Sequence, residues 1–324
     1  MAYVVLIAGL VLLVLGAEAL VRGASRLAAG LGITPLVIGL TVVAFGTSAP
    51  EMAVSIGAAL SGQADIALGN VVGSNTFNIL AILGLSALVA PLAVAANLVK
   101  LDVPLMALAA IVLLLMALDG RVTRLDGLIL FTGVVVYTAG LIWLSKKESA
   151  DVTMTEITGG DVVTAGQSAN TLANLAWIAG GLILLVLGSR WLVDSAVQIA
   201  QTFGVSELVI GLTIVAAGTS MPELATSVVA SIRGERDIAV GNVVGSNLFN
   251  ILAVLGLSSM ISPDGVDVAS SALRLDIPVM IAASLVCLPI FFFAKRISRG
   301  VGAMFLLSYV AYTVYLITTM APTL

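Results

Sequence analysis

Two carboxylates sit where the sequence is otherwise apolar. Glu51 lies in the middle of a hydrophobic segment at about 34–60, and Glu223 in the middle of another at about 206–231. A charged side chain at the centre of a bilayer costs about 3 kcal/mol or more, so it must face a partner or a cavity. Neither segment contains a lysine or arginine. Two carboxylates without a base ask for a cation, and hard oxygen ligands suit calcium or sodium rather than a soft metal. The plain alternative, two protonated and merely hydrogen-bonded glutamates, does not explain why Glu recurs at the same place in both surroundings.

Those surroundings supply more oxygen. Pro50 and Pro222 precede the glutamates, with Gly46 and Gly218 a turn earlier. Proline removes a backbone donor and blocks a continuous helix. The freed carbonyls of the preceding turn, near Ala44 and Ala216, are then expected to reach a cation. Unwound backbone in a membrane is tolerated only inside protein or around a cavity. Thr47, Ser48, Thr219 and Ser220 add hydroxyls. Gly-Thr-Ser also serves close helix packing in lipid, but the whole GTSxPE string occurs twice. A second string, GNVVGSNxFN, is also doubled. Ser74 and Asn78 are four residues apart and share one helix face, as do Ser246 and Asn250. Asn70, Asn75, Asn242 and Asn247 add amides, each of which needs a hydrogen-bond partner in an apolar medium. Asn75 and Asn247 are assigned to bracing neighbouring helices. Asp65 and Asp237 are expected as helix N-caps rather than ligands. Glu18 with Arg22, and Arg190 with Asp194, have the spacing of i,i+4 ion pairs. Their charge order is swapped, which argues against a shared ligand role.

The elements that must position these groups follow from composition. Of 324 residues, 60% are hydrophobic and 10% charged, against about 25% charged in a soluble domain. Met1–Val21, Gly127–Leu144 and Val301–Met320 are each long enough to span hydrocarbon as a helix. Open sheets cannot span lipid, and a barrel would show short alternating strands. An all-α polytopic membrane protein is predicted, with ten segments at about 3–21, 34–60, 65–90, 99–118, 127–145, 175–198, 206–231, 237–262, 274–294 and 301–320. The polar stretch Ser145–Thr171 divides them into two sets of five, 1–144 and 172–324, and is expected as a flexible solvated linker.

GLTVVAFGTSAPEMAVSIGAAL at Gly39 returns as GLTIVAAGTSMPELATSVVASI at Gly211, and DIALGNVVGSNTFNILAILGLS at Asp65 returns at Asp237. The offset from Thr47 to Thr219 is 172 residues without a gap, and about two-thirds of positions from Gly39 to Leu88 match. A repeat this long is a duplicated half. Five segments per half is odd, so the second half must enter the membrane inverted. With the N-terminus outside, ten basic residues fall in inner loops: Arg22, Arg26, Lys100, Lys146, Lys147, Arg233, Arg236, Lys295, Arg296 and Arg299. Only Arg121, Arg124, Arg190 and Arg274 fall in outer ones. The positive-inside rule selects this orientation, with both termini extracellular or periplasmic and the linker cytoplasmic. Inverted repeats with broken helices at the midplane are the architecture of secondary transporters.

Other classes are excluded or disfavoured. The absence of histidine removes HExxH and Ser-His-Asp chemistry. Cys287 is the only cysteine, so there is no internal disulfide. A net charge of −4, dispersed along the chain, does not suggest nucleic acid. Met1–Val21 lacks the basic start of a signal peptide and has a counterpart later in the chain. A protease built on the paired glutamates lacks a site to activate water, and a channel fits a closed midplane site less well than an exchanger.

The GTSxPE and GNVVGSNxFN strings resemble the two α-repeats of the sodium/calcium exchanger branch of the cation/calcium exchanger superfamily. The resemblance covers nearly the whole chain. It implies sodium/calcium antiport at a cell membrane by alternating access, with segments one and six sliding past the other eight. No cofactor is implied beyond the transported calcium and sodium, and the chain is expected to act as a monomer. Calcium roles carry over to Thr47, Glu51, Thr219 and Glu223. Sodium roles carry over to Ala44, Ser48, Ser74, Ala216, Ser220 and Ser246 with the two glutamates, and Asn78 and Asn250 line the centre. Potassium-dependent members carry Asp where this chain has Asn250, the acidic motif of the proton-coupled branch is missing, and the short linker has no room for the regulatory domain of animal exchangers. A proton/calcium or other divalent-cation antiporter on the same scaffold is the runner-up.

Overall fold

A computed structural model describes residues 2–159, 171–203 and 216–320. Parts of the expected linker (160–170) and of the seventh segment (206–215) lie outside the described residues. The first half comprises α1 (Ala2–Leu31), the pair α2 (Pro35–Thr47) and α3 (Ala49–Leu60), α4 (Asp65–Val89), α5 (Leu98–Ala117) and α6 (Arg124–Gly159). The second comprises α7 (Thr171–Thr202), the short α8 (Ala216–Gly218), α9 (Met221–Arg233), α10 (Arg236–Ile261), α11 (Ala272–Ala294) and α12 (Arg299–Met320). Among the described residues, eight helices are long and apolar enough to cross a membrane, and α2 with α3, bent by 45°, makes a ninth candidate.

Burial locates the centre. The most apolar stretch of α10 is 100% buried and that of α4 83%, against 11% for α12. The two helices carrying the GNVVGSN strings are therefore the innermost, and α12 lies on the perimeter. Around this centre, α1 and α7 cross antiparallel with glycine on glycine. A Cβ on Gly16 would lie 2.8 Å from the Gly181 carbonyl, and one on Gly188 2.8 Å from that of Gly9. Small residues let the two backbones approach closely where no water drives helices together. Two short antiparallel ladders tie loops of one half to loops of the other. Strand β1 (Leu92–Ala93) pairs with β4 (Arg296–Ile297), and β2 (Arg121–Val122) with β3 (Val266–Asp267).

Several expectations change. Helix α6 continues past Ser145 through Gly159, so the first part of the predicted linker is helical. Residues 145–158 contain no proline or glycine and several good helix formers. Asp65 and Asp237 are not N-caps. The caps are Ala64 and Glu235, and the aspartates lie in the first turn, where negative charge still favours the helix dipole. Glu18 does pair with Arg22 at 2.9 Å, and it also meets Arg233 across from α9. No ion pair joins Arg190 and Asp194 among the described residues. Both are exposed, where a pair in high dielectric gains little. Cys287 is fully buried within the helix packing.

Candidate functional site

The site forms where α2 breaks into α3 and, in the second half, where α8 gives way to α9. Thr34 caps the start of α2, accepting from the Val37 N–H at 3.4 Å, with Pro35 in the first turn. The helix ends at Ser48, whose φ and ψ are −78° and 6°, and restarts at Ala49 with Pro50 in the first turn. Ser220, at −88° and 10°, makes the same turn before Pro222. Proline fits the first turn of each new helix because its missing N–H would have no partner there. Glu51 and Glu223 follow in the first turns of α3 and α9, where helix dipoles favour carboxylates. Both are completely buried.

Each break serves the carboxylate of the other half. The Ser48 hydroxyl donates to Glu223 Oε1 at 3.1 Å, and that of Ser220 to Glu51 Oε1 at 2.8 Å. The Thr47 hydroxyl donates to Asn242 Oδ1 at 3.0 Å, and that of Thr219 to Asn70 Oδ1 at 3.5 Å. Ser246 lies 3.5 Å from the Thr47 hydroxyl, and Ser74 lies 3.1 Å from that of Ser220. One turn beyond these serines, Asn78 and Asn250 open π-helical stretches, a local widening frequent at functional sites. Their amides cross between halves: Asn78 Nδ2 donates to Asn247 Oδ1 and Asn250 Nδ2 to Asn75 Oδ1, both at 3.0 Å. Asn75 and Asn247 donate to each other's carbonyls at 3.2 and 3.4 Å, a cross-brace between α4 and α10.

Among the described residues, the buried carboxylate and amide oxygens without a hydrogen-bond donor are four: Glu51 Oε2, Glu223 Oε2, Asn78 Oδ1 and Asn250 Oδ1. Leaving a buried acceptor unsatisfied costs about 1–3 kcal/mol each, and more for a charged one. Neither glutamate has an ion-pair partner among the described residues. Two carboxylate and two amide oxygens at equivalent repeat positions, ringed by hydroxyls, make an acceptor-rich centre suited to a cation.

The Ala44 carbonyl differs from its expected state. It accepts from the Ser48 N–H at 3.0 Å, with the Thr47 hydroxyl 3.3 Å away as a more distant alternative donor, so the proline does not leave it free in this arrangement. Ala216 begins α8, directly after the undescribed stretch.

Two groups of residues escaped the sequence reading. Ser55 and Ser227 accept from the amides of Asn70 and Asn242, each at 3.0 Å. Both lie four residues after a glutamate, on its face, within the doubled string, and that recurrence was the available signal. Asp102 accepts from the Tyr137 hydroxyl at 3.0 Å and Asp276 from that of Tyr312 at 2.7 Å. Here the signal was LDVP returning as LDIP.

A family model described as "Sodium/calcium exchanger protein" matches residues 1–143 and 173–318. The inner membrane protein YrbG of Escherichia coli (strain K12) is 38% identical over 262 residues, covering 81% of this chain and 80% of that protein. The sodium/calcium exchanger MaX1 of Methanosarcina acetivorans is 33% identical over 306 residues, covering 84% and 86%. Among solved structures, one of the sodium-calcium exchanger NCX_Mj soaked with sodium and calcium superposes with a TM-score of 0.80 at 29% identity, covering 99% of both chains.

Proposed function

The chain belongs to the sodium/calcium exchanger protein family, whose members are membrane transporters rather than enzymes, and from that premise we propose that it exchanges sodium for calcium by alternating access. The observation that carries the reading is the set of four buried carboxylate and amide oxygens without donors, two of them on the glutamates. Two negative charges balance one divalent cation, and amide, hydroxyl and carbonyl oxygens complete the six to eight ligands that calcium takes. A proton bound at either Oε2 would instead create a buried donor that also needs a partner. Glu51, Glu223, Thr47 and Thr219 hold calcium. The glutamates with Ser48, Ser74, Ser220, Ser246 and the carbonyls of Ala44 and Ala216 hold sodium, with Asn78 and Asn250 lining the centre. The Ala44 carbonyl, which accepts from the Ser48 N–H, offers the ion its second lone pair.

The scaffold in this reading is ten helices in two inverted halves, 1–144 and 172–324, joined by a cytoplasmic segment. Three observations support it. Helices α1 and α7 run antiparallel. The loops joined by β1–β4, and those joined by β2–β3, are pairs that an inverted arrangement puts on one face. Residues 172 apart exchange equivalent bonds across the centre. The lysine and arginine distribution puts both termini outside the cell membrane. One chain supplies both carboxylates, so the transporting unit is the monomer.

The deciding experiment is calcium uptake by proteoliposomes holding the purified protein. Uptake should require an outward sodium gradient. Uptake driven equally by a proton gradient without sodium would replace this reading with a proton-coupled one.

A further inference from the structure

Asn70 and Asn242 stand one layer behind the carboxylates, and their hydrogen bonds leave them no freedom. Asn242 Nδ2 donates to the Glu223 carbonyl at 3.3 Å and to Ser227 Oγ at 3.0 Å. Both amide hydrogens are thus spent within its own half, and Oδ1 can only accept. Turning the amide over would set Oδ1 against the Glu223 carbonyl, acceptor against acceptor. The Thr47 hydroxyl, from the other half, gives Oδ1 its proton at 3.0 Å. Asn70 repeats the arrangement with the Glu51 carbonyl at 3.2 Å, Ser55 at 3.0 Å and Thr219 at 3.5 Å. A hydroxyl has one proton. For Thr47 the Ala44 carbonyl is a more distant acceptor, at 3.3 Å against 3.0 Å for Asn242. With the proton committed to the nearer asparagine, the threonine oxygen can show only lone pairs to anything else that approaches it.

We propose that Asn70 and Asn242 are positioning residues that hold Thr219 and Thr47 as acceptors toward the ion, and thereby favour calcium over sodium at the shared site. This rests on the ion-site reading above. The selectivity follows from charge. A hydroxyl free to swing its proton inward repels a divalent ion twice as strongly as a monovalent one at the same distance, because Coulomb energy scales with charge. Loss of either asparagine therefore penalises calcium more than sodium. A general loosening of the packing would weaken both alike.

The test is calorimetric titration of the full-length protein in detergent with calcium, and with sodium by competition, after size-exclusion chromatography confirms that each variant is folded. Asn242→Ala and Asn70→Ala should each lower calcium affinity about tenfold, the scale of one buried hydrogen bond, and sodium affinity about threefold or less. Thr47→Val removes the ligand oxygen itself, so it should cost at least as much calcium affinity as Asn242→Ala, and adding Asn242→Ala to it should cost nothing more, because the asparagine acts only through that hydroxyl. Thr47→Ser should regain part of what Thr47→Val loses. Equal losses for the two ions, additive losses in the double variant, or unchanged calcium affinity in folded Asn242→Ala would overturn the proposal. Should Asn242→Ala not fold, Asn70→Ala and the milder Asn242→Ser, read on both ions, decide. A wild-type protein that binds no calcium would instead sink the ion-site reading, and the proposal with it.

Discussion

Replacing Glu51 by glutamine changes one charge and almost no volume. The side-chain amide oxygen can still accept from Ser220, now at 2.8 Å from Oε1. The amide nitrogen then occupies the place of Oε2, which has no donor, and turns two N–H groups toward the cation. Unit charges 4 Å apart attract by about 4 kcal/mol at an effective dielectric of 20, and a divalent ion doubles this to about 8 kcal/mol. At about 1.4 kcal/mol per decade, the charge alone is worth roughly three decades of sodium affinity and five or six of calcium affinity. Folding should not suffer, because removing an unpaired buried charge relieves desolvation. Glu51→Gln protein should therefore elute as wild type on size exclusion yet show no calcium uptake into sodium-loaded proteoliposomes. Glu223→Gln should behave the same way, since Ser48 donates to it as Ser220 does to Glu51. Calcium uptake by either variant within about threefold of wild type, less than 1 kcal/mol, is irreconcilable with an ion held between two carboxylates.

Three further outcomes follow from the same geometry. Wild-type exchange should be equal with external potassium or choline, because Asn250 is neutral and its amide nitrogen is bound to Asn75 Oδ1 at 3.0 Å; a potassium requirement in vesicle uptake would refute this. Single cysteines at Ala96 and Asp264, in a Cys287→Ser background, should label from opposite sides of intact cells, and labelling from one side would refute the inverted halves. Gly181→Val would place a Cβ 2.6 Å from the Leu20 backbone nitrogen, so it should lower stability by about 1–3 kcal/mol and slow transport; an unchanged melting temperature and rate would show that α1 and α7 are not packed this closely.

Much of this protein is written one-dimensionally. Sparse charge and long apolar runs are properties of composition, and a membrane-spanning helical fold follows because lipid offers backbone groups no other partner. Two copies of GTSxPE and GNVVGSNxFN are properties of order. They single out Glu51 and Glu223 because a carboxylate in an apolar run has no bland explanation when it occurs twice. The bracing role of Asn75 and Asn247 was legible for the same reason, since an amide in hydrocarbon must be satisfied by something.

The identity of that something was not legible. A repeat states that Ser48 and Ser220 are equivalent, and it is silent on whether each serves the glutamate beside it or the one 172 residues away. Tertiary structure pairs each with the distant one. It also spends the Ala44 carbonyl on the Ser48 N–H, adds Arg233 to the pair of Glu18 with Arg22, and leaves Arg190 and Asp194 unjoined. Spacing along a helix limits which side chains can meet, but a hydrogen bond is made over about 3 Å between particular atoms. Which atoms come that close is decided only when the two halves pack around α4 and α10.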